Sequence, residues 1–347
     1  MSPYVLLIII TSLLLGTSLT LFSNHWLMAW MGLELNTLAI IPMMTHPNHP
    51  RATESAIKYF LTQATASMMI MFSIIFNAWM TNQWTLLQMS NHTASTLMTL
   101  ALAIKLGLAP FHFWVPEVTQ GIPLSSGMIL LTWQKIAPTA LLYQISPSLN
   151  MEILIMLAIL STVLGGWGGL NQTQMRKVLA YSSIAHMGWT VIIALINPNL
   201  MILSLMIYIM TTLTLFLTLN LSSTTKIKSI SNLWNKSTPM TMIIFLTLLS
   251  LGGLPPLTGF MPKWLILQEL IINNNPTMAI VMALSALLSL FFYMRIIYVS
   301  SLTMFPTNNN LKHHWFFTQT KTTNMIPTLT TISSMLLPLT PILIIMS

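Results

Sequence analysis

Apolar runs of about twenty residues follow one another along almost the whole chain, and they limit what it can fold into. A helix needs about 20 apolar residues to cross the hydrocarbon core of a bilayer. Only 5% of the 347 residues are charged, whereas an ordinary soluble domain carries about 25%. We therefore predict an all-α integral membrane protein.

Eleven segments reach the required length, so we predict about 11 transmembrane helices in one transmembrane domain over residues 1–347. The predicted spans are 3–22, 25–44, 57–80, 96–115, 124–144, 151–170, 177–196, 199–221, 240–272, 277–300 and 325–346. The first segment lacks the basic start and the cleavage site of a secretion signal, so it is interpreted as a span.

Basic residues sort to one side of the membrane when eleven spans are counted. With the N-terminus on that side, its loops hold Arg51, Arg176, Lys177, Lys226, Lys228, Lys236, Lys312 and Lys321. The loops of the other side hold neither Lys nor Arg. Because basic loops stay in the negative compartment, this sorting predicts an N-terminus in the cytoplasm or the mitochondrial matrix.

Glycine and proline interrupt two spans, the fourth within LGLAPFHFWVPE and the ninth within LGGLPPLTGFMPKW. Pro110 and Pro116 are spaced as Pro256 and Pro262 are. Broken helices at matching positions of two halves are typical of ion and solute transporters built from inverted repeats. The predicted parts are a first repeat at about 1–145, a second at about 150–302 and an additional C-terminal helix at about 325–346.

Charged residues inside the spans are the first candidates for function: Glu34, Lys105, Lys135 and Lys263. A charge at the centre of a span costs roughly 2.5 to 3.5 kcal/mol on insertion scales, so such residues usually mark a path or a site. Burial disfavours the charged form of a lysine and a nearby carboxylate favours it, so these groups suit proton transfer.

Several stretches together resemble one family: WMGLEL around Glu34, KLGLAPFHFWVPE, RKVLAYSSIAHMGW and GGLPPLTGFMPKW. They are similar to subunit 2 of mitochondrial NADH:ubiquinone oxidoreductase (respiratory complex I) of the animal type, one of its antiporter-like membrane subunits. The composition agrees, with 29 Met and no Cys.

The resemblance implies a core membrane-arm subunit of a proton-pumping NADH:ubiquinone oxidoreductase, and thus an enzyme only as part of that complex. It implies the mitochondrial inner membrane, with the N-terminus on the matrix side and the C-terminus on the intermembrane-space side. The implied partners are other complex I subunits, including a neighbouring antiporter-like subunit and small membrane subunits, and phospholipids such as cardiolipin. We expect no nucleic acid as a partner.

No cofactor or metal site is expected in this chain. The sequence has no cysteine for an iron–sulfur cluster and no nucleotide-binding motif. By the resemblance, FMN, iron–sulfur clusters, NADH and ubiquinone would be bound by other subunits of the complex.

The resemblance also assigns roles to residues. Glu34 is expected to pair with Lys105 of the first broken helix; separating this pair would let Lys105 pass its proton to Lys135. From there the proton would reach Lys263 of the second broken helix by way of His186. His112 is expected, like His186, to line the hydrated axis through the membrane centre.

Other interpretations remain open at this stage. Glu34 and Lys105 could form a static ion pair, Lys263 could only cap helix carbonyls, and the histidines could be ordinary core residues. The chain as a whole could be a stand-alone cation/proton antiporter or a structural membrane subunit. Co-purification with redox subunits distinguishes a subunit of a complex from a stand-alone antiporter. Proton transport by variants of the buried charged residues distinguishes a proton-translocating subunit from a structural one.

Overall fold

The structure is a computed structural model that describes residues 2–302, apart from Pro47 and Leu87, and residues 325–339. Within these ranges the chain is helical, and the β-type pairings are two isolated bridges between loops. The predicted all-α class is therefore confirmed. The predicted last span continues past Leu339 into residues outside the described ranges.

The α-helices of the described residues are numbered in chain order. They are α1 Pro3–Phe22, α2 Trp26–Thr45, α3 Pro50–Thr81, α4 His92–Leu106, α5 Trp114–Gly121, α6 Leu124–Leu131, α7 Ile136–Ile145, α8 Met151–Gly169, α9 Met175–Ile193, α10 Pro198–Ser222, α11 Ile227–Ser231, α12 Leu233–Lys236, α13 Thr238–Gly252, α14 Phe260–Ile272, α15 Pro276–Leu302 and α16 Met325–Met335. In the same described residues, short 3₁₀ helices occur at Trp133–Lys135, Ser146–Ser148 and Leu337–Leu339.

Six of these helices are long and apolar enough to cross a membrane unaided: α1, α2, α3, α8, α10 and α15. Other predicted spans are divided between two shorter helices, namely α4 with α5, α6 with α7, and α13 with α14. The chain is thus a multi-pass membrane protein, and three of its predicted spans each consist of two shorter helices.

The two predicted helix breaks are present and have the same geometry. Each first half ends at a glycine in the left-handed region, Gly107 with φ +73° and Gly253 with φ +81°. The next N–H closes the turn in both cases, from Leu108 to the Ala103 carbonyl (2.9 Å) and from Leu254 to the Leu249 carbonyl (3.4 Å). Glycine adopts this backbone without the penalty that a Cβ brings.

The predicted fifth span, 124–144, is not one continuous helix. A 3₁₀ turn at Trp133–Lys135 separates α6 from α7. Pro138 explains the interruption, because proline has no N–H for the Gln134 carbonyl and its ring clashes with that carbonyl in a regular helix. The interruption places Lys135 between two helix ends.

The loops lie at two distinct ends of the bundle. At one end the 173–175 and 225–227 connections pair, through Met175 N–H to the Thr225 carbonyl (2.9 Å). Arg176 donates to the Ile122 carbonyl there, and Arg295 donates to the Leu170 and Gln172 carbonyls.

At the opposite end, Trp26 N–H donates to the Trp84 carbonyl (3.2 Å), and Tyr143 donates to Asn199 (3.3 Å). The described connections of this end contain no Lys or Arg. The sorting of basic residues inferred from the sequence is thus also a sorting in space, over the part of the chain that the structure describes.

Buried apolar residues form two large clusters. On several helices a polar residue separates a member of one cluster from a member of the other. The first cluster includes Trp26, Leu33, Met98, Met187 and Ile266, and the second includes Ile40, Tyr59, Leu131, Ile184 and Leu251. Along α9, for example, Ile184 belongs to the second cluster and Met187 to the first, with His186 between them. Glu34 lies between Leu33 of the first cluster and Ile40 of the second, and Lys135 lies between Leu131 of the second and Ala137 of the first.

Candidate functional site

The three predicted lysines are all buried, with exposed fractions of 6% for Lys105, 5% for Lys135 and 8% for Lys263. Each lies where a helix begins or ends. Lys105 is in the last turn of α4, Lys135 is in the 3₁₀ turn before α7, and Lys263 is in the first turn of α14. The C-terminal end of a helix leaves main-chain carbonyls without intrahelical donors, and these carbonyls are natural partners for an ammonium from the same or a neighbouring element.

Lys105 and Lys135 line the same cavity. Its volume, counted as the space open to the centre of a water molecule, is about 20 Å³, which is enough for one water. Two further elements, α2 and α3, and the turn of Lys135 itself contribute other polar side chains around it: Asn36, Thr37, Tyr59, Gln63 and Gln134.

Several polar atoms at this cavity have no hydrogen-bond partner within the described protein, including Lys105 Nζ, Gln63 Nε2 and both side-chain atoms of Asn36. A buried polar group without a partner is costly, and water is the partner that a polar cavity of this size accepts. The cavity therefore suits a hydrated connection between the two lysines.

Glu34 and Lys105 do not form the expected contact in this conformation. The ion pairs of 4.0 Å or less among the described residues involve Lys58 with Glu54 and with Glu117 at the basic end. Glu34 Oε2 and Lys105 Nζ are each buried without a hydrogen-bond partner, although Glu34 still acts electrostatically on Lys105. In this structure Glu34 and Lys105 thus form no ion pair of 4.0 Å or less.

Lys135 connects the two halves of the chain. Its Nζ donates to the Ser183 carbonyl of α9 and to the Tyr208 hydroxyl of α10, each at 3.3 Å. The ammonium also lies 4.9 Å from the centre of the Tyr208 ring.

A second cavity, also of about 20 Å³, brings His186 and Lys263 together. Tyr208, Thr190, Ser204 and Ser250 contribute further polar groups to its wall. The rings of His186 and Tyr208 are 5.4 Å apart between centroids. His186 and Thr190 thus share a lining surface, as their spacing on α9 predicts.

Lys263 also caps a helix. Its Nζ donates to the carbonyls of Gly252 (2.9 Å) and Leu251 (3.3 Å) at the C-terminal end of α13. This is the capping contact that the sequence left open, and it coexists with a position in the wall of the second cavity. A cation is favoured at this end of a helix by the helix dipole.

His112 is placed apart from the two cavities. It lies in the first helix break, 5% exposed, with its ring 4.4 Å from that of Phe113 and 6.5 Å from that of Tyr181. The structure therefore brings five of the six predicted residues to the cavities or their electrostatic vicinity, and not His112.

Tyr208 is the site residue that sequence reasoning missed, because it lies in an apolar span without charged residues. A signal was available: Ser204, Tyr208 and Thr211 follow helical spacing and mark a polar face on α10.

No three acidic or histidine side chains in the described ranges come together in a way that could hold a metal ion.

Apolar helices, paired shorter helices and buried lysines at their ends together define a membrane protein of the ion-transporter class. Residues 23–289 match the family model described as NADH:quinone oxidoreductase/Mrp antiporter, transmembrane. Residues 290–344 match the model described as NADH dehydrogenase subunit 2 C-terminus. The chain belongs to the NADH:quinone oxidoreductase/Mrp antiporter family.

Individual comparisons agree with this assignment. The chain is 80% identical over 343 residues to the NADH-ubiquinone oxidoreductase chain 2 of Osphranter robustus, covering 99% of both chains. Its structure is similar to a chain of respiratory complex I from Thermus thermophilus, with a TM-score of 0.83, 25% identity and coverage of 97% of this chain and 80% of that one. A chain of the Mrp complex from Dietzia has the same fold, with a TM-score of 0.75 at 17% identity over 83% of this chain and 59% of that one.

Proposed function

We propose that this chain is a membrane subunit of a respiratory NADH:ubiquinone oxidoreductase and that it provides a path for proton translocation. It acts as an enzyme only as part of that complex. Support comes from a relative that is 80% identical over essentially its full length and is named as a chain of this oxidoreductase. A stand-alone antiporter is not favoured, since the likeness to the Mrp structure at 17% identity concerns the fold.

The proposed path runs from Lys105 through the first cavity to Lys135, and from Lys135 past His186 to Lys263. The observation that carries it is the pairing of cavities: one is lined by Lys105 and Lys135, and the next by His186 and Lys263. In each step an ammonium gives its proton to water, and the water then gives a proton to the next basic nitrogen.

Glu34 is proposed to control the first step. Contact with the Glu34 carboxylate favours the ammonium form of Lys105, and separation disfavours it. A proton that crosses the full membrane potential is worth about 2.3 kcal/mol per 100 mV, which the gain or loss of one close charge pair can match. The separated arrangement in this structure corresponds to the state in which Lys105 gives up its proton. His112 is proposed to line the hydrated path at the first helix break, outside the two cavities.

We further propose the finer architecture of eleven spans in two inverted repeats, about 1–145 and 150–302, with an additional C-terminal helix at 325–346. The matching breaks support it, because seven residues separate Leu106 from Trp114 and seven separate Gly252 from Phe260. The basic end of the bundle supports an N-terminus on the matrix side and a C-terminus on the intermembrane-space side of the mitochondrial inner membrane.

The chain assembles with other subunits of its complex. We propose a neighbouring antiporter-like subunit, small membrane subunits and phospholipids such as cardiolipin as its direct contacts. FMN, iron–sulfur clusters, NADH and ubiquinone are proposed to bind to other subunits.

The decisive experiment compares Lys135→Met with Lys228→Met in the complete complex, reconstituted in vesicles. Met keeps the length of the side chain and removes the charge, and Lys228 is an exposed lysine at the basic end. We expect NADH-driven proton pumping to be lost in Lys135→Met, with assembly intact, and to be retained in Lys228→Met. Pumping by Lys135→Met at the parent rate would show that the buried lysine is structural.

A further inference from the structure

Tyr208 occupies the point where the two cavities approach each other. It is 2% exposed and lies in α10, whose residues include no charged side chain. Its hydroxyl accepts a hydrogen bond from Lys135 Nζ, and its ring borders the cavity that holds His186 and Lys263. It therefore contacts the central lysine on one side and the second cavity on the other.

The helix interruption before α7 provides Tyr208 with a second partner. In the 3₁₀ turn, Lys135 N–H donates to the Thr132 carbonyl at 3.3 Å instead of to the Leu131 carbonyl one residue earlier. The Leu131 carbonyl instead accepts the Tyr208 hydroxyl at 3.0 Å. Tyr208 thus donates to a main-chain carbonyl that would accept the Lys135 N–H in a regular helix.

The hydroxyl can exchange partners when the charge of Lys135 changes. An ammonium has only donors, so the hydroxyl accepts from it and donates to Leu131. A neutral amine has a lone pair, so the same hydroxyl can turn and donate to the amine. The phenolic proton stays on Tyr208 in both arrangements.

We propose that Tyr208 is a positioning residue that holds Lys135 between the two cavities and accommodates both of its protonation states. The proton itself passes from Lys135 Nζ to water of the second cavity and then to His186, while Tyr208 keeps its own proton. This inference rests on the proposed proton path and adds the residue that aligns its central step.

The test is Tyr208→Phe in the complete complex, with Tyr143→Phe as the matched control. Both substitutions remove one tyrosine hydroxyl, and both hydroxyls connect α7 or the turn before it to α10. Tyr143 is at the end of the bundle, away from the cavities.

We expect Tyr208→Phe to slow NADH-driven pumping about ten-fold, the cost of losing one hydrogen bond to a charged group. We also expect a larger solvent isotope effect on pumping in D₂O, because proton transfer from Lys135 then limits the rate. The Tyr143→Phe variant should retain the parent rate and the parent isotope effect. A purely structural role would leave the isotope effect unchanged.

Parent values of both rate and isotope effect in Tyr208→Phe would overturn the inference. If Lys135→Met still stops pumping in that case, the proposed function stands and only the role of Tyr208 fails. Should the Phe variant fail to assemble, Tyr208→Met provides a second test, since its flexible side chain adapts to the site and also lacks a hydroxyl. The same outcomes then apply.

Discussion

A lysine at a helix end has partners that a lysine in mid-helix lacks. Lys263 illustrates this, because it donates to two carbonyls that α13 leaves free. Lys135 has the Ser183 carbonyl and the Tyr208 hydroxyl, whereas Lys105 has no hydrogen-bond partner among the described residues. Burying an ammonium is costly in proportion to the partners it lacks. Lys105 is therefore the lysine whose charge depends most on Glu34 and on water.

This dependence leads to a prediction for Glu34→Gln. The substitution removes the anion near Lys105 while keeping the size of the side chain, so the ammonium form loses its electrostatic support. We expect NADH-driven pumping to fall several-fold. A change of about 1.4 kcal/mol in activation free energy changes a rate about ten-fold. Pumping and NADH oxidation are measured together in vesicles that contain the complex.

Glu152→Gln is the matched control, because Glu152 is an exposed glutamate in the first turn of α8. It should pump at the parent rate. Equal rates for Glu34→Gln and Glu152→Gln would mean that Glu34 takes no part in the path.

At the scale of single elements, the interruptions matter more than the helices. Both long breaks depend on a left-handed glycine, and the shorter turn before α7 depends on Pro138. Each interruption has a buried lysine beside it, and Lys135 and Lys263 donate to main-chain carbonyls. Irregular backbone inside a membrane is tolerated only beside protein or a wet cavity.

Gly253→Ala tests the second break. A Cβ at position 253 would lie 2.9 Å from Lys263 Cδ, in a backbone conformation that costs an L-residue about 1 to 2 kcal/mol. We expect lower thermal stability of the purified complex and slower pumping, because Lys263 must move from the α13 carbonyls.

The neighbouring Gly252→Ala is the control. A Cβ there meets its nearest atom at 3.7 Å, an ordinary contact, and Gly252 has helical backbone. Its stability and pumping should match those of the parent complex. A Gly253→Ala variant that behaves like Gly252→Ala would contradict the proposed dependence on the left-handed glycine.

At the scale of the whole molecule, the buried apolar residues form two large clusters, and the loops that the structure describes divide into a basic and a non-basic end. Lys105, Lys135 and Lys263 are buried in this arrangement. It also gives the bundle a direction, because basic loops stay on the negative side of an energised membrane.

Cysteine labelling can test this direction, since the chain contains no cysteine. We expect Lys228→Cys to react with an impermeant thiol reagent from the matrix side, and Gln83→Cys to react from the intermembrane-space side. Both positions are exposed, and they lie at opposite ends of the bundle. The parent chain measures the background from other subunits, and labelling of both variants from one side would refute the topology.

Much of this arrangement was predictable from local sequence. The burial of an apolar segment in a bilayer depends on that segment alone, so hydropathy located the six long apolar helices without knowledge of their neighbours. The breaks near Gly107 and Gly253 were predictable for the same reason, because glycine and proline act on the backbone within one turn. Pro138 carried a similar signal for the turn at Lys135, which we had predicted as continuous helix.

Contacts between distant segments were decided by the tertiary structure. Tyr208 meets Lys135 across 73 positions of the chain, and this contact depends on the rotation of α10 against the turn before α7. The separation of Glu34 from Lys105 and the position of His112 outside the cavities depend on helix packing in the same way. The sequence of a membrane span shows which of its residues are apolar, but it does not fix which face of the helix points into the bundle. Packing against neighbouring helices determines that face.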